Sequence, residues 1–121
     1  MNLPNVAVRL PGITDRDRHD IAEFALKYEV DVISGSFTRT AANVRALKEC
    51  LNGAKIRVHA KIESVEALAH LDEIIAEADG VHVSRGDLGM ELPLSKLPLV
   101  QKGKLIDYCA IKLSLQTNTE L

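Results

Sequence analysis

Apolar positions along this chain alternate between two periods, one of strands and one of helices. "VAVRLP" (Val6 to Pro11) reads as a short extended segment, and "TDRDRHDIAEFALKYEV" then turns helical. Thr14 stands as its N-cap with Asp17 three residues on, a capping-box pattern, and Ile21, Phe24, Ala25 and Tyr28 form one apolar face. "VDVISGSF" (Val30 to Phe37) is a buried strand. "TRTAANVRALKECLNG" follows as a helix with Thr40 as N-cap, a stripe of Val44, Leu47 and Leu51, and Gly53 as its stop. The pattern repeats with the strand "AKIRVHAKIE" (Ala54 to Glu63). The helix "SVEALAHLDEIIAEADG" comes next, capped by Ser64, striped by Val65, Leu68, Leu71 and Ile75, and ended at Gly80. "VHVS" (Val81 to Ser84) is the third strand, and "RGDLGMELPLSKLP" reads as a loop. A last helix runs from about Ser95 to Tyr108, with Pro98 tolerated in its first turn. The tail "AIKLSLQTNTEL" (Ala110 to Leu121) has neither period and reads as irregular.

Strand-helix units in series imply parallel strands joined by crossovers, and the nearly continuous apolar strands suit a sheet covered on both faces. The fold class is α/β with about three βα units, either doubly wound or part of a (β/α)8 barrel. In both architectures ligands bind beyond the carboxyl ends of the strands. The polar residues there carry the candidate chemistry: Ser36 and Arg39 after the first strand, Lys61 and Glu63 ending the second, and Arg85, Gly86 and Asp87 after the third.

Period-two alternation puts Lys61 and Glu63 on one side of their strand, where charges are costly unless paired or coordinated. Glu63 and Asp87, at the ends of neighbouring strands, suit a hard divalent cation, since Mg²⁺ takes one or two protein carboxylates and fills its other positions with waters and substrate oxygens. Lys61 suits negative charge developing on a phosphoryl or enolate oxygen, and Gly86 allows close approach of backbone N–H groups to an anion. From spacing alone, Lys61, Glu63 and Asp87 fit a structural ion-pair cluster as well as a metal site. Arg39 alone reads as a solvated or helix-start charge, and Ser36 as a small strand-end residue. His19 and His70 read as surface positions, His59 and His82 as hydrogen-bonded core residues, and Cys50 and Cys109 as small apolar fillers on helix faces.

Composition narrows the classes further. The chain of 121 residues is 46% hydrophobic and 26% charged, with 15 basic and 17 acidic residues and a net charge of −2. That balance leaves no electrostatic footprint for nucleic acid or a membrane surface. Phe24, Tyr28, Phe37 and Tyr108 are too few for a base-stacking platform. No apolar run approaches the roughly 20 residues of a membrane span, and the N-terminus lacks the pattern of a signal peptide. Cys50 and Cys109 make neither a CxxC knuckle nor a disulfide framework, so the expected compartment is the reducing cytoplasm.

"AKIESVEALAHLDEIIAEADGVHVSRGDLGMELPLSKLPLVQK" resembles the active-site region of pyruvate kinase, in which K-I-E is followed by a helix, then by R-G-D-L-G and Q-K. Upstream, "NLPNVAVRLPGITDRDRHDI" and the Ser36-Phe37-x-Arg39 stretch are similar to the same family, so the resemblance covers about residues 2 to 109. It implies a partial (β/α)8 (TIM) barrel over residues 1–109, with a divergent tail over 110–121. It also implies phosphoryl transfer between phosphoenolpyruvate and ADP, giving pyruvate and ATP, in glycolysis. Lys61 would be the catalytic lysine, Glu63 and Asp87 the ligands of Mg²⁺ or Mn²⁺, and Arg85, Gly86 and Asp87 the substrate-binding turn, with Ser36 and Arg39 beside the site. The family also uses K⁺, whose site is expected to be missing from this chain.

The chain departs from the family pattern at Ser84, where Ala is usual, and at His59 and His82, where apolar strand residues are usual. After Cys109 the expected family continuation gives way to "AIKLSLQTNTEL", which reads as a truncated or frame-shifted gene or a fragmentary gene model. A complete barrel takes about 250 residues. The expectation is therefore a partial barrel, inactive alone, with open sheet edges and exposed apolar strand faces that favour marginal stability or self-association into a homo-oligomer. Two other readings stay open: a metal-dependent enolate lyase or aldolase on a similar barrel, and a non-catalytic remnant.

Overall fold

The computed structural model describes residues 11–103. Their sheet has three parallel strands in the order β1-β2-β3, with β1 at Val32–Gly35, β2 at Arg57–Ile62 and β3 at Gly80–Val83. Helix α1 (Asp15–Asp20) runs on into a π-helical turn over Ile21–Leu26 and precedes β1. Helix α2 (Ala41–Cys50) crosses from β1 to β2, and α3 (Val65–Ala69) with α4 (Leu71–Glu77) crosses from β2 to β3. Helix α5 (Arg85–Glu91), a 3₁₀ turn over Leu94–Lys96 and a helix over 97–103 follow β3. This is the α/β order of a partial (β/α)8 barrel. The segments around Val6 to Leu10 and after Gly103 lie outside the described residues.

Register decides which strand residues share a face. Ser34 pairs with His59 and His59 with Gly80, and Lys61 pairs with His82. Those side chains occupy one face, while Ile33, Val58, Ala60, Ile62 and Val81 occupy the other. Val58, Ala60 and Ile62 are fully buried and pack with Val44, Leu51, Ala67, Leu71, Ile74 and Ile75 of the helices. The core therefore lies between the sheet and its crossover helices. The opposite face is mostly polar among the described residues, with Ser34 and His82 exposed, His59 and Lys61 half-buried, and Val32 at its β1 end. The apolar strand face expected to stand open is the one the helices cover. The large exposed apolar side chains instead sit off the sheet, at Phe24, Tyr28, Phe37, Val65, Met90, Leu94 and Leu99.

Several local expectations change for physical reasons. Ile21 and Ala25 are buried, but Phe24 and Tyr28 are 62% and 63% exposed and pack against each other with tilted rings, centroids 5.1 Å apart. The π-helical turn shifts the phase of that face, so an ordinary 3.6-residue stripe does not describe it. Val65 lies at the first position of α3 and is exposed, before the apolar stripe has turned toward the sheet. The crossover helix breaks at His70, splitting it into α3 and α4, and α4 ends at Glu77. Gly80 is then the first residue of β3, not the helix stop: a Cβ there would stand 2.6 Å from the His59 ring, so a bare α-carbon lets the imidazole lie over the strand. His82 is exposed, not a core residue. Cys50 is half-buried, and its Sγ accepts from Arg18 Nη1 at 3.1 Å, so it is more than an apolar filler.

The helix caps behave as their residues imply. Asp17 Oδ2 accepts from the Thr14 N–H and hydroxyl, each at 2.7 Å, and Thr14 Oγ1 accepts from the Asp17 N–H at 3.2 Å. The Thr14 backbone N–H, then the Thr14 hydroxyl, holds the Asp17 carboxyl below its ordinary value near 3.8. Its folded pKa is depressed, so its stabilising effect is present above the unfolded value and lost as pH falls through the folded one. Thr14→Ala is expected to cost about 1 kcal/mol at neutral pH in urea unfolding. The cost of Asp17→Asn should shrink as the pH is lowered through the carboxyl's depressed range, and a pH-independent difference would show that the cap carries no ionic contribution.

Candidate active site

The carboxyl edge of the sheet collects most of the predicted polar residues. Glu63, just past β2, has a side chain only 2% exposed. Its Oε1 lies 2.6 Å from Lys61 Nζ, and its Oε2 accepts the backbone N–H of Phe37 at 2.6 Å. Lys61 Nζ also donates to Ser36 Oγ at 3.3 Å. A buried carboxylate is tolerable only with such donors, and two charge-assisted hydrogen bonds supply them. Ser36, Lys61 and Glu63 thus form one cluster spanning the ends of β1 and β2. Arg39 is half-buried beside it, and its backbone N–H donates to Asn43 Oδ1 at 3.0 Å.

One member of this corner, Thr38, was not singled out from sequence, and Phe37 entered only through the family-like Ser36-Phe37-x-Arg39 stretch. Phe37 adopts φ +50, a left-handed conformation costing a non-glycine residue roughly 1–2 kcal/mol. That turn aims its N–H at Glu63. Thr38 is 2% exposed, and its hydroxyl donates to the Gly35 carbonyl at 2.8 Å, closing the same turn. Neither residue type advertises a turn of this kind. The signal was only the polar "SGSFTRT" string at a strand end.

Asp87 sits on a helix, not in a loop. Ser84 is the N-cap residue of α5, its N–H continues the ladder to the Ile62 carbonyl at 3.0 Å, and its hydroxyl donates to Asp87 Oδ2 at 2.8 Å. Strand β3 therefore passes into α5 with no intervening loop, and Ser84 joins the two through its ladder N–H and its hydroxyl bond to Asp87, without capping a helix N–H. Arg85 and Gly86 are exposed in the first turn. Beyond its chain neighbours and the backbone of its own helix, no atom of the described residues lies within 4 Å of where a Gly86 side chain would begin, so packing against the rest of the fold does not account for this glycine. One turn beyond Asp87, Glu91 Oε2 accepts the Val65 N–H at 2.8 Å and ties α5 to the start of α3.

No group of three or more His, Cys, Asp or Glu side chains capable of holding a metal occurs among the described residues. The donor set here is two hard carboxylates at adjacent strand ends, which fits a cation that takes one or two protein ligands and completes its shell with other oxygens. The cleft of about 340 Å³ lies elsewhere, between α1, β1 and α2 against Ile13, Ile21, Gly35 and Leu47. It reaches Ser36 but not Lys61, Glu63 or Asp87, so the cavity and the acid–lysine cluster are different features.

A parallel α/β sheet whose ionic groups gather at the carboxyl ends of its strands has the layout shared by doubly wound and (β/α)8-barrel enzymes, and the family match below selects the barrel. The family profile of the pyruvate kinase barrel domain matches residues 1–116, and this chain belongs to that family. It is 46% identical over 112 residues to a pyruvate kinase of Geobacillus stearothermophilus, covering 90% of this chain and 19% of that protein. It is 43% identical over 113 residues to one of Eimeria tenella, covering 92% of this chain and 21% of that protein. The crystal structure of a pyruvate kinase from Cryptosporidium parvum superposes with a TM-score of 0.79 at 43% identity, over 85% of this chain and 23% of that one. A second structure of the Cryptosporidium parvum enzyme is a complex with ADP. The chain thus spans about a fifth of the length of the relatives it matches. These matches do not favour the lyase or aldolase alternative.

Glu63→Gln is expected to lower stability by about 1–3 kcal/mol, because the Phe37 N–H and the Lys61 ammonium lose their anionic partner. Combined with Lys61→Met, the cost should fall short of the sum by about 1 kcal/mol in urea unfolding. Strict additivity would show that the pair is not energetically coupled.

Proposed function

We propose that this chain supplies the lysine and divalent-metal portion of a pyruvate kinase site, acting in phosphoryl transfer between phosphoenolpyruvate and ADP. The observation that carries this reading is the Ser36–Lys61–Glu63 cluster at the same sheet edge as Asp87, within a chain of this family. Glu63 and Asp87 would hold Mg²⁺ or Mn²⁺, which when bound offsets negative charge on substrate oxygens. Lys61 is held by Glu63 and Ser36 with 27% of its side chain exposed, and in this reading its ammonium meets the incoming phosphoryl group. Fixing that cation before substrate arrives avoids reorganisation during transfer.

Gly86 and Asp87 lie in the first turn of α5, where backbone N–H groups lack intrahelical partners, and this suits the carboxylate of phosphoenolpyruvate. Arg85 adds a positive charge at the same turn, and Arg39 follows Ser36 in the turn after β1, two strands away. The family's place in cytoplasmic glycolysis extends the same proposal, while the site of its potassium ion is expected to be missing from this chain. Among the described residues no helix is long and apolar enough to cross a membrane.

Titration calorimetry with Mn²⁺, with and without phosphoenolpyruvate, tests this reading. Binding should tighten in the presence of phosphoenolpyruvate and weaken by tenfold or more in Asp87→Ala and in Glu63→Gln, each of which removes one of about two protein ligands. Heat signals identical in the unsubstituted chain and both variants would sink the metal assignment.

A further inference from the structure

We infer that Glu91 is a positioning residue: it locks the segment carrying Glu63 to the helix carrying Asp87 and so sets the spacing of the two carboxylates. This deepens the metal-site reading above and rests on it. Asp87 and Glu91 are four residues apart on α5, so they share one face of that helix. Glu91 Oε2 accepts the Val65 N–H at 2.8 Å, which shows which way that face turns: toward the junction of β2 and α3. Val65 is the first residue of α3 and follows Glu63 by two positions.

The Val65 N–H is one of the donors at a helix start with no intrahelical acceptor, and Ser64 Oγ is already used by the Ala67 N–H at 3.2 Å. An anionic acceptor at the positive end of α3 is charge-assisted and favoured by the helix dipole. On the strand side, the Ser84 N–H to Ile62 carbonyl bond, at 3.0 Å, holds β3 against β2 immediately before α5 begins. The β2–α3 junction is therefore clamped to the β3–α5 unit at two points, Ser84 before Asp87 and Glu91 one turn after it. Released at Glu91, α5 keeps the Ser84 bond at its N-terminus and the buried Leu88 but loses its tie to α3, and the helix shift this allows moves Asp87 relative to Glu63.

The test compares the full chain with Glu91→Ala and Glu91→Gln, since glutamine keeps a carbonyl oxygen able to accept the Val65 N–H. Exchange of the Val65 amide by NMR should accelerate tenfold or more in Glu91→Ala and return toward the unsubstituted rate in Glu91→Gln. Mn²⁺ affinity should follow the same order, weaker by about tenfold or more in Glu91→Ala and largely restored in Glu91→Gln, as expected of residues that orient ligands. Unchanged Val65 exchange in Glu91→Ala would overturn the inference, and so would faster exchange with unaltered Mn²⁺ affinity. Loss of Mn²⁺ in Glu91→Gln with Val65 still protected would make Glu91 a metal ligand instead, which also overturns it. A chain that binds no Mn²⁺ in any version sinks the metal-site reading, and the Val65 exchange rates still decide whether Glu91 clamps the two units.

Discussion

The buried carboxylate of Glu63 is the constraint around which the carboxyl edge of the sheet is organised. An anion this deeply withdrawn from water must find donors, and it finds one on its own strand and one across the edge. Lys61 supplies the counter-charge. Phe37 supplies its backbone N–H, and does so from a left-handed conformation that a bulky side chain adopts only when its surroundings insist. The turn after β1 is thus shaped by an acid on β2. Whatever binds at this edge meets a lysine and a carboxylate already held in place.

The sheet divides labour between its faces. Val58, Ala60 and Ile62 point toward the helices and carry the stability, while His59, Lys61 and His82 lie on the opposite face. In a closed (β/α)8 barrel that second face lines the interior. Its polarity here, with His59 lying over Gly80, differs from the bulky branched residues that dominate barrel interiors. Links between crossover units then fix how the strand ends meet. Lys48 donates to the Glu77 carbonyl at 2.6 Å and pairs with Asp79, whose Oδ2 accepts the Val58 N–H at 2.8 Å. Those contacts tie α2 and the end of α4 to the start of β2, at the pole opposite the candidate site.

Much of this was legible because it depends on neighbours in the chain. Thr14 with Asp17, and Ser64 ahead of α3, announce helix starts through bonds spanning three residues, and the α/β order follows from the alternation of periods. Lys61, Glu63 and Asp87 stood out because charges at the ends of apolar strands need a reason. Where local pattern failed, a competing local rule or a distant contact had won. "RGDLGMELP" carries two glycines and a proline and reads as a loop, yet seven of its residues form α5, with Ser84 placed to start the helix and Asp87 placed to meet it. Phe24 and Tyr28 left the predicted core face because a π-helical turn changed its phase.

By itself, then, the sequence determined the fold class, the helix starts at Thr14, Thr40 and Ser64 and the identity of the ionic residues, since each rests on periodicity or on bonds a few positions long. Only the tertiary structure decided that Glu63 is buried against Phe37, that Ser36 joins Lys61, and that Glu91 reaches Val65. Each of those contacts joins residues 25 or 26 positions apart. They exist because parallel register brings successive strand ends side by side, and no short-range pattern encodes which side chain will then face which backbone group.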